Sequence, residues 1–575
     1  MRAEIRIGCI APFCAADPRH PHEIPILADA AKAPSPASPL APLQHPVFRA
    51  IWIANLASSF GGLIQGVGAA WLMTSIADSV DMVALVQAST SLPIMLLSLL
   101  GGAVADSFDR RRVMLFAQVF MITVSALLMA ATWFGLISPW LLLVFTFLLG
   151  CGTALNNPSW QASVGDMVPR SDLPAAVALN SIGFNLSRSV GPAVGGIIVA
   201  ALGAAAAFLV NTLSYVGLVI VLLRWKQGAV ASTLPREPMG TAIMSGLRYV
   251  AMSPNILKVM LRGFVFGFTA IVVLALLPVV AAQMPGGGPL TYGLLLGAFG
   301  LGAVGGALFS ARLQAAIGTE PLVRWSFLGF ALCALVTGLS PTPWLTAPAL
   351  MIGGACWVWA MSLFNVSVQL ASPRWVVGRA LSLYQTATFG GMAFGSWVWG
   401  LAAEVYGLGA ALTIAGVGMV VGALIGLRFP LPPRTIADLD PLNRFKVPQL
   451  ELDLEPRSGP ILIEITYAIK PEDVPAFMLV MADRKRIRRR DGARNWTLLR
   501  DLGHPDHWVE SYETPTWTDY VRHNLRLTKA DAEISERIRA LHTGAEPPVV
   551  HRYVERPVDW YSQVTATPKT EIEPH

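Results

Sequence analysis

Charged side chains are scarce in this sequence. Lys, Arg, Asp and Glu make up 14% of its 575 residues, against 54% hydrophobic, whereas a soluble globular chain carries about a quarter charged residues. That shortage excludes an ordinary water-bathed surface and implies an exterior that largely meets lipid. The net charge of +6 does not argue for a nucleic-acid partner, because basic residues of membrane proteins collect in cytoplasmic loops. Cysteine is scarce too. Cys9, Cys14, Cys151, Cys333 and Cys356 show no metal-ligand spacing and the last three sit in apolar runs, which excludes a disulfide scaffold. No Gly-x-x-x-x-Gly-Lys-Ser/Thr phosphate loop occurs, so ATP hydrolysis by that route is excluded. Acids deep in the apolar runs are few: Asp78 and Asp81 flank one end, and Glu404 closes another. No metal and no cofactor is expected.

What the sequence has is apolar length. Runs near the ~20 residues that cross a bilayer cover 48–74, 82–105, 113–136, 140–164, 175–202 and 205–224. After a polar interval they resume at 256–282, 290–314, 322–339, 345–370, 379–406 and 409–429. The expected fold is an all-α polytopic membrane protein with twelve transmembrane helices in two six-helix bundles, 45–224 and 256–429, joined by a cytoplasmic loop, 225–255. Alternate loops carry Arg110 to Arg112, Arg170, Arg224, Lys226, Arg236, Arg248, Arg312, Arg374 and Arg379, and the loops between them carry no Lys or Arg. Lys and Arg stay on the cytoplasmic side, so both termini are expected inside the cell membrane. The halves echo each other: Val168-Pro-Arg and Ser372-Pro-Arg each open a Gly-rich span that ends at a short turn. Parallel repeats about an axis along the membrane normal place a substrate site between halves near the midplane.

The flanks differ. Residues 1–44, rich in Ala and Pro, read as a disordered cytoplasmic extension or as a start codon assigned too far upstream; they lack an uninterrupted apolar signal core. After a polar linker, 430–459, the pattern of residues 460–556 reads βαββαβ, a ferredoxin-like α+β cytoplasmic domain, followed by a disordered tail, 557–575. Arg484 to Arg490 hold six basic residues that read either as a site for anionic headgroups or as a solvated basic helix end.

Three groups of residues are candidates for function. Gly102, Asp106, Arg110 and Arg111 lie at the junction of the second and third spans; the glycine permits close helix approach and the charges suit a gating cluster. Arg188, Gly191, Pro192, Gly195 and Gly196 lie inside the fifth span. An arginine there is costly unless it faces a cavity, although snorkelling to the interface is the alternative. Asn55, Gln65, Asn185, Asn365, Gln369, Tyr384 and Gln385 form polar stripes that either line a polar, nearly uncharged cavity or bond helices together.

The Gly102–Arg111 cluster resembles the signature of the major facilitator superfamily, with Ser107 and Asp109 departing from its usual residues. Gly191-Pro-Ala-Val-Gly-Gly196 resembles the fifth-helix motif of drug-exporting antiporters in that superfamily. Residues 44–429 together are similar to the branch containing siderophore and drug exporters, and the tail is similar to α+β barrels related to antibiotic-biosynthesis monooxygenases. The resemblance implies a secondary transporter exporting a siderophore-like metabolite or drug across the inner membrane, with protons as coupling ion. It implies that Asp106, Arg110 and Arg111 latch the halves and that Arg188 lines the path. Two alternatives stand beside it: a membrane sensor that no longer transports, and an exporter fused to an enzyme. The tail is expected to be an oligomerisation or regulatory module able to form a homodimer.

Overall fold

Backbone groups inside a bilayer find no water, so each apolar run must satisfy them within itself, and the helix is how a single segment does so. A computed structural model describes residues 40–169, 172–225, 239–431, 439, 442, 444–448 and 450–556, except the side chains of Ala105, Asp106, Ser107, Asp166, Pro174, Ser181 and Asn185. The expected disorder of 1–44 and 557–575 therefore lies mostly outside the described residues; Ala41–Gln44 forms a 3-10 turn leading into the first helix.

Six long helices come first: α1 (Pro46–Ile76), α2 (Val80–Ser107), α3 (Arg110–Trp133), α4 (Pro139–Met167), α5 (Leu173–Leu202) and α6 (Ala204–Arg224). A short α7 (Met239–Ala251) precedes α8 (Pro254–Gln283), α9 (Pro289–Ile317), α10 (Thr319–Leu339), α11 (Pro343–Leu370), α12 (Val377–Tyr406) and α13 (Leu408–Arg428). Proline opens α1, α4, α8, α9 and α11, a position where its missing N–H costs nothing. Asp109 caps α3 by accepting from the Arg112 amide at 3.3 Å, which accounts for an acid where the superfamily signature usually has glycine. Gly203 and Gly407 turn α5 into α6 and α12 into α13 with φ of +81° and +85°, backbone that other residues rarely adopt.

Among the described residues eleven helices are long and apolar enough to cross a membrane. The twelfth expected span, α12, is not one of them. Its thirty residues include five Gly and several Ser, Thr and aromatic residues, and it lies against α2 and α8, so fewer of its positions need to satisfy lipid. The polar interval at 225–255 also departs from expectation, since it holds α7. Ala242, Ser245, Gly246, Tyr249 and Val250 are its buried residues, a helical face.

Packing within the two sets of helices repeats with a shift of six spans. In the first set α1 packs on α5 and α6, α2 on α4, and α3 on α4 and α6. In the second set α8 packs on α12 and α13, α9 on α11, and α10 on α11 and α13. The main contacts between the sets are α2 with α12 and α5 with α9, which the same shift exchanges; α1 and α2 also touch α8, and α1 touches α9. Arg111 of α3 donates to the Leu222 and Leu223 carbonyls at the end of α6, at 2.7 and 2.9 Å. Arg324 of α10 donates to Gly426 near the end of α13 at 3.3 Å. Cations at helix C-termini satisfy carbonyls that have no partner within the helix.

The tail contains β1 (Ile461–Ala468), α14 (Val474–Asp491), β2 (Arg494–Arg500), β3 (His507–Thr514), α15 (Trp517–Leu525), α16 (Lys529–Leu541) and β4 (Val549–Val554). Its sheet runs β2-β3-β1-β4 with every pairing antiparallel. Ile461, Ile463, Ile465 and Tyr467 alternate along β1 into a core with Phe477, Met481, Trp508 and Tyr512, as strand periodicity requires. The linker is partly engaged, with Phe445 and Leu454 packed on that core.

The basic run of α14 divides: Lys485, Arg486 and Arg489 are exposed, whereas two of its arginines face inward. Arg484 and Arg488, one turn apart, are 7% and 3% exposed and reach Glu510 of β3 at 3.6 and 3.1 Å. Glu510 also accepts from the Tyr467 hydroxyl at 2.9 Å and the Trp496 indole at 3.0 Å. Burial alone would raise its pKa, but Arg488 and Arg484 outweigh burial and hold it at about 2. A carboxylate held below its ordinary value stabilises the fold above that value and loses the contribution as pH falls through the folded one. Glu510→Gln is expected to destabilise the tail by about 3–5 kcal/mol, because it strands two buried guanidinium groups. Thermal unfolding of the full chain checks it: the tail transition should weaken from pH 4.5 towards 2 in the parent and lose that dependence in the variant.

Candidate functional site

Two cavities lie between the helix sets. The first, about 440 Å³, sits among the ends of α2, α4, α11 and α12 nearest the basic loops, and α7 contributes Ala242 and Ile243 to its wall. Asn365, Gln369 and Gln385 line it, as do Gly102, Asn157 and Arg379. The second, about 370 Å³, is bounded by α1, α2, α4, α5, α6, α8 and α9, and Gln65, Arg188 and Pro192 line it. Ile94 belongs to both walls. Each volume falls in the range that encloses a small ligand.

Arg188 is the charged group of the second cavity. Its guanidinium stands 5.4 Å from the ring centroids of both Phe299 on α9 and Trp357 on α11. A side chain of the first helix set is thus held against two aromatic faces of the second, a contact worth about 0.5–2 kcal/mol. Among the described residues no carboxylate lies within 4.0 Å of it. This placement does not fit snorkelling. The rest of the fifth-span motif sets helix spacing: Gly191 and Gly195 face Leu63, Ile64 and Val67 of α1, and Gly196 faces Gly293 of α9. A Cβ at Gly196 would lie 2.9 Å from the Gly293 Cα, and one at Gly300 would lie 2.5 Å from the Arg188 carbonyl oxygen. Backbone meets backbone there, which only glycine permits.

The polar stripes divide. Gln65 touches the cavity but is 6% exposed, accepting from Ser125 at 2.9 Å and from the Asn211 amide. Asn365 accepts from Gln369 within the first cavity. Tyr384 packs against Gly263 of α8, and Asn55 is half-buried on α1 outside both walls. The side chain of Asn185 lies outside the described residues.

Gly102 approaches α12 at the Ser382 hydroxyl. Beside it Ser98 donates to the Ser382 carbonyl at 3.2 Å and bonds the Thr386 hydroxyl at 2.8 Å, so α2 and α12 are stitched by hydroxyls. Arg110 reaches the Ala162 carbonyl of α4 at 2.9 Å and Arg111 the end of α6, both within their own helix set. The side chain of Asp106 lies outside the described residues. At the far end Glu404 of α12 accepts from the Val80 amide of α2 at 2.8 Å.

Sequence reasoning missed one charge cluster. Arg262 of α8, fully buried, meets Glu320 of α10 at 2.5 Å, and Glu320 also binds Arg324 at 3.0 Å and the Leu431 amide at 2.9 Å. It ties α8, α10 and the exit of α13 together. An arginine eight residues inside a span was the available signal.

This arrangement defines a membrane transporter of the major facilitator fold. A crystal structure of an auto-inhibited POT family peptide transporter matches with a TM-score of 0.57 at 11% identity, over 70% of this chain and 99% of that one. A bacterial homologue of the lysosomal transporter Spinster, inward-facing and occupied, matches at 0.54 and 13% identity over 68% and 97%. The chain belongs to the transmembrane secretion effector family, whose pattern matches residues 37–558. It is similar to the enterobactin exporter of Citrobacter koseri, 28% identical over 68% of this chain and 94% of that protein. It is also similar to the staphyloferrin A transporter of Staphylococcus aureus, 23% identical over 63% and 90%.

Proposed function

We propose that this protein has twelve spans and exports a small molecule across the inner membrane by alternating access, in exchange for protons. The observation that carries the reading is Arg188, a cation set between the helix sets under aromatic rings of the opposite set. Such a group complements an anionic, partly aromatic solute, and the siderophore transporters among the relatives favour a siderophore-like metabolite. Of the candidate polar residues, Gln65, Asn365, Gln369 and Gln385 line the two cavities and would supply the uncharged contacts, and Asp106, Arg110 and Arg111 would latch the basic end. The Arg-rich alternate loops support a cytoplasmic position for both termini.

The tail is read as a ferredoxin-like module, since its element order and antiparallel sheet match that pattern. The Glu510 network fills the space between β3 and α14 with paired charge, which favours a regulatory or dimerising role over an enzyme. Strand β4 exposes Val549, Val550 and Tyr553, an edge suited to a second copy. A paired metabolite profile of cells and medium, with and without the gene, tests the export reading. A compound that accumulates inside deletion cells and vanishes from the medium supports export and names the substrate. Depletion inside the cells alone would mean uptake, and no difference would favour sensing.

A further inference from the structure

Helix α7 separates two spaces. Ala242 and Ile243 face the 440 Å³ cavity, while Thr241, Met244, Ser245 and Arg248 face a cleft of about 250 Å³ whose other wall is the tail. The contact is anchored at several points. Arg248 donates to the Arg490 carbonyl at 3.2 Å, Arg486 to the Met252 carbonyl at 2.9 Å, and Arg526 lies 4.1 Å over the Trp375 ring.

Charge in this cleft is uneven. Its two carboxylates are committed inside the tail. Asp491 accepts from Arg490 at 2.8 and 3.1 Å; Asp519 accepts from the Thr516 hydroxyl at 2.8 Å and lies 3.7 Å from Arg522. Arg248, Arg494 and Arg526 line the same space, three arginines against two carboxylates, with Arg526 also acting on Asp491, so the balance is positive. His523, 1% exposed, is a neutral member of the wall. Burial and Arg488 hold its pKa well below the ordinary value. Arg488 stands 2.8 Å from its Nε2, and a guanidinium only donates, so the ring proton is on Nδ1. That Nδ1 is directed at the Asp491 backbone.

We propose that the cleft between α7 and the tail binds a small oxyanion, a soluble phosphate or carboxylate compound, and that its occupancy sets α7 at the cavity wall. Arginine forks bind both groups through paired charge-assisted hydrogen bonds. The cleft is too small for a siderophore, so this ligand is a regulator rather than the cargo. The link to the cavity is direct. Gly246 lies so close to α12 that its Cβ would be 2.8 Å from the Arg379 Cβ, and Arg379 lines the cavity.

Calorimetric titration of the full chain in phosphatidylcholine nanodiscs, with pyrophosphate and with citrate as probes, tests the site without reference to transport. At least one probe should bind saturably, and Arg494→Ala should weaken it about tenfold or more, while Lys470→Ala, remote from the cleft, should not. Binding by neither probe, or equal loss in both variants, overturns the proposal. Affinity should be unchanged in discs containing phosphatidylglycerol; competition by that lipid would make a headgroup the occupant and overturn a soluble ligand. In a chain whose five native cysteines are replaced, maleimide labelling of Ile243→Cys should change severalfold on saturation. An unchanged rate would overturn the coupling to α7.

Discussion

Arg188→Ala is expected to reduce transport about tenfold to a hundredfold while leaving the folded protein in the membrane. The guanidinium is half-buried, and its contacts are the two rings at 5.4 Å, so removing it leaves no stranded buried carboxylate among the described residues. The loss is that of a charged hydrogen bond to an anionic solute, about 1.5–3 kcal/mol. Arg188→Lys should fall between, keeping charge but losing the planar group that stacks on aromatics. Initial export rates across a range of solute concentrations check this, with the effect expected in the concentration dependence. Normal export by Arg188→Ala would remove Arg188 from the path.

The second large effect is steric. Gly300→Ala places a methyl 2.5 Å from both the Arg188 carbonyl oxygen and the Ser189 Cα. Neither is the tip of a flexible side chain, so α5 and α9 must separate where they join the two helix sets. Overpacking of this kind costs about 1–3 kcal/mol, and transport should fall at least about tenfold. Gly305→Ala, on the same helix with nothing within 4 Å, should behave as the parent. Equal export by the two variants would show that the α5–α9 approach is not needed.

Much of the bundle was legible because the bilayer demands uninterrupted apolar length. Eleven of the expected spans recur as helices apolar enough to cross, with ends displaced by a few residues where Pro139 and Pro254 open them or Gly318 closes one. The span at 379–406 was read as an apolar run like the others, but its interior is too rich in Gly, Ser and Thr to be among the helices apolar enough to cross. Helix α7 escaped because its thirteen residues are too few for the bilayer-length criterion by which the spans were read. Arg188 stood out as a lone cation in an apolar run, and the structure adds the rings it faces, which come from residues more than a hundred positions away. Pairing over such distances is what sequence hides. Arg262 with Glu320, and Arg484 and Arg488 with Glu510, are each ordinary charges until the fold brings them together. The mixed fate of the amides has the same origin: Gln369 and Asn55 are both amides of the polar stripes, yet one lines a cavity and the other lies outside both walls.

The most direct test of export through this cavity uses everted membrane vesicles and the compound named by the metabolite profile. The account predicts uptake into everted vesicles driven by an imposed proton gradient, abolished by a protonophore and sharply reduced in Arg188→Ala. Uptake confined to right-side-out vesicles, or uptake indifferent to the gradient, would contradict it.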